Sequence, residues 1–436
     1  MHSRRQFLKN SMQTYIGATL YSLSTLVSCG PNNSKSNNNL RELIEDISSL
    51  SPLPNNPNIR IAPGVEAKLI SAAGNIMSDG KEVPNYPDGM GCFDQSGKIV
   101  LIRNHELAPK FGENQAPLLS YDPLTPGGTT TVILDDKLNI ISEFLSLSGT
   151  SVNCAGGATP WNSWISCEET TDTPSNSSLV SQKHGYAFEV FASETSLIKK
   201  EPLIAMGRFK REAITIEPVS GIAYQTEDTD NSCLYRFIPD TPGDLTSGLL
   251  QVLKVHGVEN FKSYTLSSDD IHIKFNIEWI DIINPDPSNG LNNHARSLGA
   301  AIFRRNEGII AENNAIYFAA TEGGTNKSGQ IFKVSTDTNT LELSLACSEN
   351  NQILMPDNLN INKYGDLIVC EDAPNPNYLL GIKPDGTIYP IARSMTGEWA
   401  GACFSPDGNI LFVNAQKANN GETYALQLDW NILRSN

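Results

Sequence analysis

Residues 398–416 read EWAGACFSPDGNILFVNAQ. An acidic residue opens the stretch, a short apolar run follows, Asp407-Gly408 makes a turn, and a second apolar run ends in a polar residue. Asp-Gly between two apolar runs is a strong local hairpin signal. The same pattern occurs five more times upstream. It opens at Asp88, turns at Ser96-Gly97 and ends at Glu106. It opens again at Cys154 and ends at Glu168-Glu169, then opens at Glu212 and ends at Glu227-Asp228. Two further copies run from Glu307 to Glu322 and from Asp357 to Glu371-Asp372. A third strand-like run follows each copy, at 127–134, 184–191, 233–238, 329–334, 378–382 and 422–428. Repeated units of short strands with Gly-rich turns predict an all-β chain, a six-bladed β-propeller with loop insertions and a central-channel metal site. Residues 240–300 are expected to hold a fourth strand and an inserted excursion.

In such a unit the first strand lines the channel and the second runs antiparallel beside it. The start of the first and the end of the second therefore share one rim. That places Asp88, Cys154, Glu212, Glu307, Asp357 and Glu398 at the channel mouth, facing Glu106, Glu168 or Glu169, Glu227 or Asp228, Glu322, Glu371 or Asp372, and the neutral Gln416. Carboxylates at that density repel one another unless cations hold them. Oxygen donors alone suit calcium or magnesium, and a thiolate among them is a softer ligand that points to a transition metal such as iron or zinc. The candidate metal ligands are Cys154, Glu168, Glu212, Glu307, Asp357 and Glu398, with Cys167 the second choice for the thiolate. Five arginines flank the acids: Arg103, Arg208, Arg211, Arg304 and Arg305. Arg305, two residues before Glu307, is the best placed to form bidentate bonds to a tetrahedral anion. Metals that hold an oxyanion and supply a hydroxide nucleophile would hydrolyse phosphoesters.

Composition narrows the alternatives. The 436 residues carry a formal charge of −16, which excludes a nucleic-acid binder of the usual basic kind. The six histidines show neither HxH nor HExxH spacing, against a zinc hydrolase; His105 and His184 read as strand-end residues with structural partners. No CxxC pair occurs among the eight cysteines, so a zinc ribbon is not indicated.

The N-terminus reads as an address. SRRQFLK at 3–9 carries the twin-arginine export pattern, and LVSCG at 26–30 resembles a lipobox with Cys29 as the lipidated residue. Residues 1–29 are assigned to the signal peptide, 30–58 to a flexible tether and 59–436 to one catalytic propeller. A route that carries folded proteins agrees with a cofactor loaded before export. The expected location is the bacterial periplasm or an outer-membrane anchor, with membrane contact only through Cys29. A monomer is expected.

Several blocks together resemble the PhoX-type alkaline phosphatases: SRRQFLK, PDGMGCF with IRNHE, NCAGGATPWNSWISCEE, HGYAFEV, MGRFKREA, YQTED, RRNEG, PDN and GEWAGACFSPDG with FVNAQ. The resemblance implies a six-bladed propeller with two irons, bridged by an oxide, and up to three calciums. It implies iron ligation by Cys154 and Glu212, roles for Glu307, Asp357 and Glu398 toward calcium or as bridges to iron, and phosphate contact by Arg305. The activity implied is that of a phosphomonoesterase acting on small extracytoplasmic phosphoesters. The competing expectations are a non-catalytic, calcium-stabilised propeller lipoprotein that binds a surface partner, and a calcium propeller hydrolase of a lactone or phytate.

Overall fold

The computed structural model describes residues 50–110, 117–348, 353–417 and 420–435. The export pattern, Cys29 and most of the tether lie outside them. Among the described residues twenty-six strands form an all-β, propeller-like fold with very little helix.

The repeats are visible in the sheets. Pro87–Gln95, Lys98–His105, Gly127–Leu134 and Ile140–Thr150 make one four-stranded sheet in chain order. Asn153–Ala158, Ser163–Glu168 and Ala187–Phe191 make a three-stranded one. Pro356–Ile361, Leu367–Glu371, Asn377–Ile382 and Ile388–Ser394 make another four, extended at their outer edge by Asn56–Ile61 and Ser51–Leu53. Those last two strands lie mostly inside the stretch expected to be a tether. Ile59 is buried against the apolar cluster that contains Ile391 and Ala392, so the chain gains a packed strand where composition alone suggested a linker.

The expectation of six separate sheets meets one difference. Among the described residues there are five, because the largest has nine strands. Lys274–Ile282 pairs with Asp244–Val255 on one side (Val255↔Ile277) and with Thr340–Ala346 on the other (Asn276↔Thr340). This strand comes from the inserted excursion and stitches two repeat units into one hydrogen-bonded sheet. The excursion also carries the helix Leu291–Ser297, whose Asn292 reaches Glu227 at 2.8 Å.

The last sheet joins the two ends of the described chain. Glu398–Phe404, Ile410–Gln416 and Glu422–Leu428 are completed by Val65–Ala72, through pairs such as Leu426↔Ala67. Apolar side chains pack against the sheet faces; Phe318 and Phe332, cross-strand partners, meet Phe303 with ring centroids 5.1 to 5.4 Å apart.

One local feature positions the site. In all six inner hairpins the first strand carries one extra residue. Pro87 pairs with His105 but Met90 with Arg103; Asn153 pairs with Glu168 but Gly156 with Ser166. The same slip separates Arg211 from Ile214, Asn306 from Ile309 and Pro356 from Leu359. A bulge of this kind bends the strand and re-aims a side chain. In these five hairpins it falls at Asp88, Cys154, Glu212, Glu307 and Asp357. In the sixth it falls later, between Ala400 and Cys403, where Gly401 adopts a positive φ of 61°.

Candidate metal centre

The five bulges bring their residues together. Three overlapping groups each hold ligand atoms within 4.8 Å of one another: Asp88, Glu106 and Cys154; Cys154, Glu169 and Glu212; Glu212, Glu307 and Asp357. Cys154 is shared by the first two groups and Glu212 by the last two, so seven buried residues form one continuous cluster. The Cys154 Sγ lies 2.9 Å from Glu212 Oε1 and 3.6 Å from Asp88 Oδ2. The inner strands meet closely just below. A Cβ on Gly89 would sit 2.5 Å from Ala155 Cα, and one on Gly308 would sit 2.3 Å from the Asp357 carbonyl oxygen. Glycine is therefore required there for the ligands to converge.

The second strands add their own residues by a regular rule. Where two acids end the strand, the first is a structural acceptor. Glu168 accepts from the N–H groups of Ser151, Gly185 and Tyr186 at 2.9, 2.8 and 3.2 Å, and meets His184 Nδ1 at 2.6 Å. Glu227 accepts from the Cys233 N–H at 3.1 Å and the Tyr235 hydroxyl at 3.1 Å. Glu371 accepts from the N–H groups of Leu354 and Tyr378 at 2.8 and 3.0 Å. The second acid of each pair faces inward: Glu169 toward Cys154 and Glu212, and Asp228 and Asp372 toward Arg305. The expectation named Glu168; the grouped donors include Glu169 and not Glu168. Glu168 is committed to three N–H groups and a ring, because it is still in the ladder opposite Asn153.

Glu398 also departs from expectation. With its bulge displaced, it stands in register opposite Gln416 and belongs to none of the three groups. Gln416, which looked neutral and unremarkable in sequence, donates from Nε2 to Asp88 Oδ2 at 2.8 Å and to Glu106 Oε2 at 3.2 Å. It thus ties two acids of the first unit to the last one.

Arg305 is buried among acids. It bonds Asp228 Oδ1 at 3.1 Å and Asp372 Oδ2 at 3.3 Å, and its Nη2 meets Glu307. Burial acts to lower its pKa, but these three carboxylates outweigh it and hold the guanidinium charged. The other four arginines are engaged elsewhere: Arg103 with Glu143, Arg208 with Asp286, Arg211 with Gln225 and main-chain carbonyls, and Arg304 stacked on Tyr264. Cys167 is fully buried in an apolar layer, and burial pushes its thiol up to about 12. His105 bonds the Asn85 carbonyl and Thr130, and so has structural partners.

The donor set fits metal ions. Burial, together with Asp357, Asp228 and Asp372, raises Glu307 well above the usual carboxylate range despite Arg305. Glu307 Oε2 has no hydrogen-bond partner among the described residues. A wholly buried carboxylate oxygen left so is costly unless a cation meets it. Six carboxylates and a thiol, with no nitrogen donor among them, supply such cations with hard oxygen sites and one softer position.

No curated protein matches the chain. Among solved structures, Pseudomonas fluorescens PhoX in complex with vanadate, a transition state analogue, is similar over 88% of this chain and 97% of its own, with a TM-score of 0.68 and 17% identity. A gluconolactonase from Xanthomonas campestris is similar over 87% of this chain and 96% of its own, with a TM-score of 0.47 and 9% identity. At these identities the likeness to PhoX speaks for the fold. The family described as alkaline phosphatase PhoX matches residues 126–419, well over half of the sequence and four of the five hairpins whose residues form the cluster. The chain belongs to the PhoX family of alkaline phosphatases.

Proposed function

We propose that the buried carboxylate–thiol cluster is the catalytic centre at which this chain, a metal-dependent phosphatase by family, releases phosphate from small monoesters. The observation that carries this reading is the continuous run of seven donors beside a buried arginine. We read the nine-stranded sheet as two blades stitched by Lys274–Ile282, so that six blades surround the channel.

Cys154, Glu169 and Glu212 would hold a transition metal, with iron favoured, and two irons bridged by an oxide are the family-based expectation. Glu307 and Asp357, with Asp88 and Glu106, would hold calcium, up to three ions; Glu398 is a ligand only if it turns from its present register. Bound there, the ions supply Lewis-acid charge to a phosphoryl group and a nucleophile at alkaline pH. Arg305 offers its planar fork to the phosphoryl oxygens, and Asp228 and Asp372 hold that fork in place. Gln416 keeps Asp88 and Glu106 oriented.

The reading of residues 1–29 as a twin-arginine signal with a lipidated Cys29, 30–58 as a tether shortened by its packed strands, and a periplasmic or outer-membrane-anchored monomer completes the proposal. It agrees with a metal centre that needs assembly before export.

The test is hydrolysis of an aryl phosphate monoester at alkaline pH with added calcium, by protein from export-competent cells, compared with Cys154→Ala. Activity that collapses in the variant is expected. A folded, metal-loaded wild type that leaves the ester intact would overturn the assignment.

A further inference from the structure

We propose that Asn104 is a positioning residue for Cys154, holding the thiol-bearing bulge across the seam between the first two sheets. This rests on the metal-centre reading above and adds to it a residue that touches no proposed ligand side chain.

Asn104 lies on Lys98–His105, two residues before Glu106, and is fully buried. Its Nδ2 donates to the carbonyl oxygens of Cys154 at 3.0 Å and Ala155 at 2.7 Å. Its Oδ1 accepts from Trp164 Nε1 at 2.9 Å and Ser166 Oγ at 2.9 Å. An asparagine amide has two donor hydrogens and two acceptor lone pairs, and all are used. Two donors on one side and two carbonyls on the other fix which way the amide faces.

The carbonyls it meets belong to the bulge. Asn153 pairs with Glu168 and Gly156 with Ser166, so Cys154 and Ala155 stand against a single partner residue. A bulged ladder leaves main-chain groups without their usual partners, and buried ones must find others. Asn104 supplies them from the neighbouring sheet.

The amide is also the last step of a relay. Thr150 Oγ1 donates to Asn153 Oδ1 at 2.6 Å, and Asn153 Nδ2 donates to Ser166 Oγ at 2.8 Å. Ser166 donates on to Asn104, and Asn104 to the bulge. Every bond points the same way, so each polarises the next. The relay begins at Thr150, the last residue of Ile140–Thr150, and ends on the bulge of Asn153–Ala158. Cys154, whose carbonyl the relay reaches, places its sulfur 2.9 Å from Glu212. Similar single brackets reach other bulges: Asn414 donates to the Asp88 carbonyl at 2.5 Å and Thr226 to the Glu307 carbonyl at 2.6 Å. At the thiol the bracket is doubled.

The experiment uses the full chain from export-competent cells, as wild type, Asn104→Asp, Asn104→Ala and Ser166→Ala. It reads metal per chain, thiolate-to-metal absorption, kcat and KM on an aryl phosphate, and melting temperature. Asn104→Asp keeps the shape but turns an oxygen toward two carbonyls. It is expected to lower kcat by about 10-fold or more with KM within about twofold, and to shift or weaken the thiolate absorption. Ser166→Ala should move the same quantities the same way by less. Wild-type absorption, metal content and kcat in Asn104→Asp, with only a lower melting temperature, would overturn the inference. If both Asn104 variants fail to fold, Ser166→Ala and Trp164→Phe decide by the same readouts. A wild type without bound metal overturns the metal-centre reading and this inference together; a loaded wild type with unchanged variants overturns this inference alone.

Discussion

Glu168 points at the His184 ring, 2.6 Å from its Nδ1, while Glu169, the next residue, points at Cys154 and Glu212. The strand ends between them. Glu168 is the last residue in the ladder and Glu169 the first outside it, so one faces the frame and the other the channel.

Replacing each by glutamine should therefore fail differently. Glu169→Gln is expected to keep its melting temperature within a few degrees and lose most bound transition metal and at least about 10-fold in kcat. Glu168→Gln is expected to unfold more easily, by roughly 2 to 4 kcal/mol, because it weakens a buried charged acceptor shared by three N–H groups and a histidine. Thermal melts with metal analysis on both variants check this. Equal melting temperatures and equal metal loss would refute the division of labour.

Arg305 touches Glu307 of the cluster and the flanking Asp228 and Asp372. Arg305→Lys keeps the charge and loses the fork. It should reduce kcat/KM for an aryl phosphate by roughly 100-fold and weaken inhibition by inorganic phosphate in parallel. Steady-state kinetics with a phosphate titration is the check; unchanged phosphate inhibition would argue that Arg305 only balances charge.

His184 sits between Glu168 and Asp122, 3.2 Å from the latter. Burial alone would lower its pKa, yet the two carboxylates outweigh burial and raise it to about 9 from 6.5. A raised value means that the folded state holds the proton more tightly. The stabilisation is complete below pH 6.5 and is lost as pH climbs to about 9. It amounts to at most about 3 kcal/mol. Asp122 shifts the other way, downward, so its share is lost on acidification instead. Denaturant unfolding at pH 6 and pH 9 should show the alkaline loss in wild type and a flatter profile in His184→Gln.

Stripping metal should destabilise the chain as well as silence it. Seven acidic or ionisable donors are buried together, and removal of the cations leaves their mutual repulsion. Chelator treatment is expected to lower the melting temperature by several degrees, with Glu307→Gln reducing that drop. A chelated protein that melts like the holoprotein would contradict this.

The hairpin repeat, the channel acids, the thiol and Arg305 were all legible as residues at fixed places in a recurring unit. What the repeat did not carry was the ladder. Period-two alternation assigns faces only while strands stay in register. The extra residue at each of five bulges resets that alternation on the first strand, and Glu168 and Glu169 straddle the end of the second, where alternation no longer assigns a face. Glu398 fits the repeat as well as Asp357 does, but its bulge lies three residues later at Gly401, so the same sequence position faces differently. The nine-stranded sheet was hidden for another reason. Its bridging strand, Lys274–Ile282, sits in an insertion that has no counterpart in the other units.

The last sheet is completed by a strand from the other end of the chain, and Asn414 and Gln416 hold the main chain and side chain of Asp88. During synthesis, Asp88 leaves the ribosome more than three hundred residues before its two holders do. The ion-binding set is therefore incomplete on any nascent chain. A truncation at residue 397, although it spares all seven clustered donors, removes what keeps the first donor in place. The last strands to be made are thus the ones that close the donor cluster around Asp88.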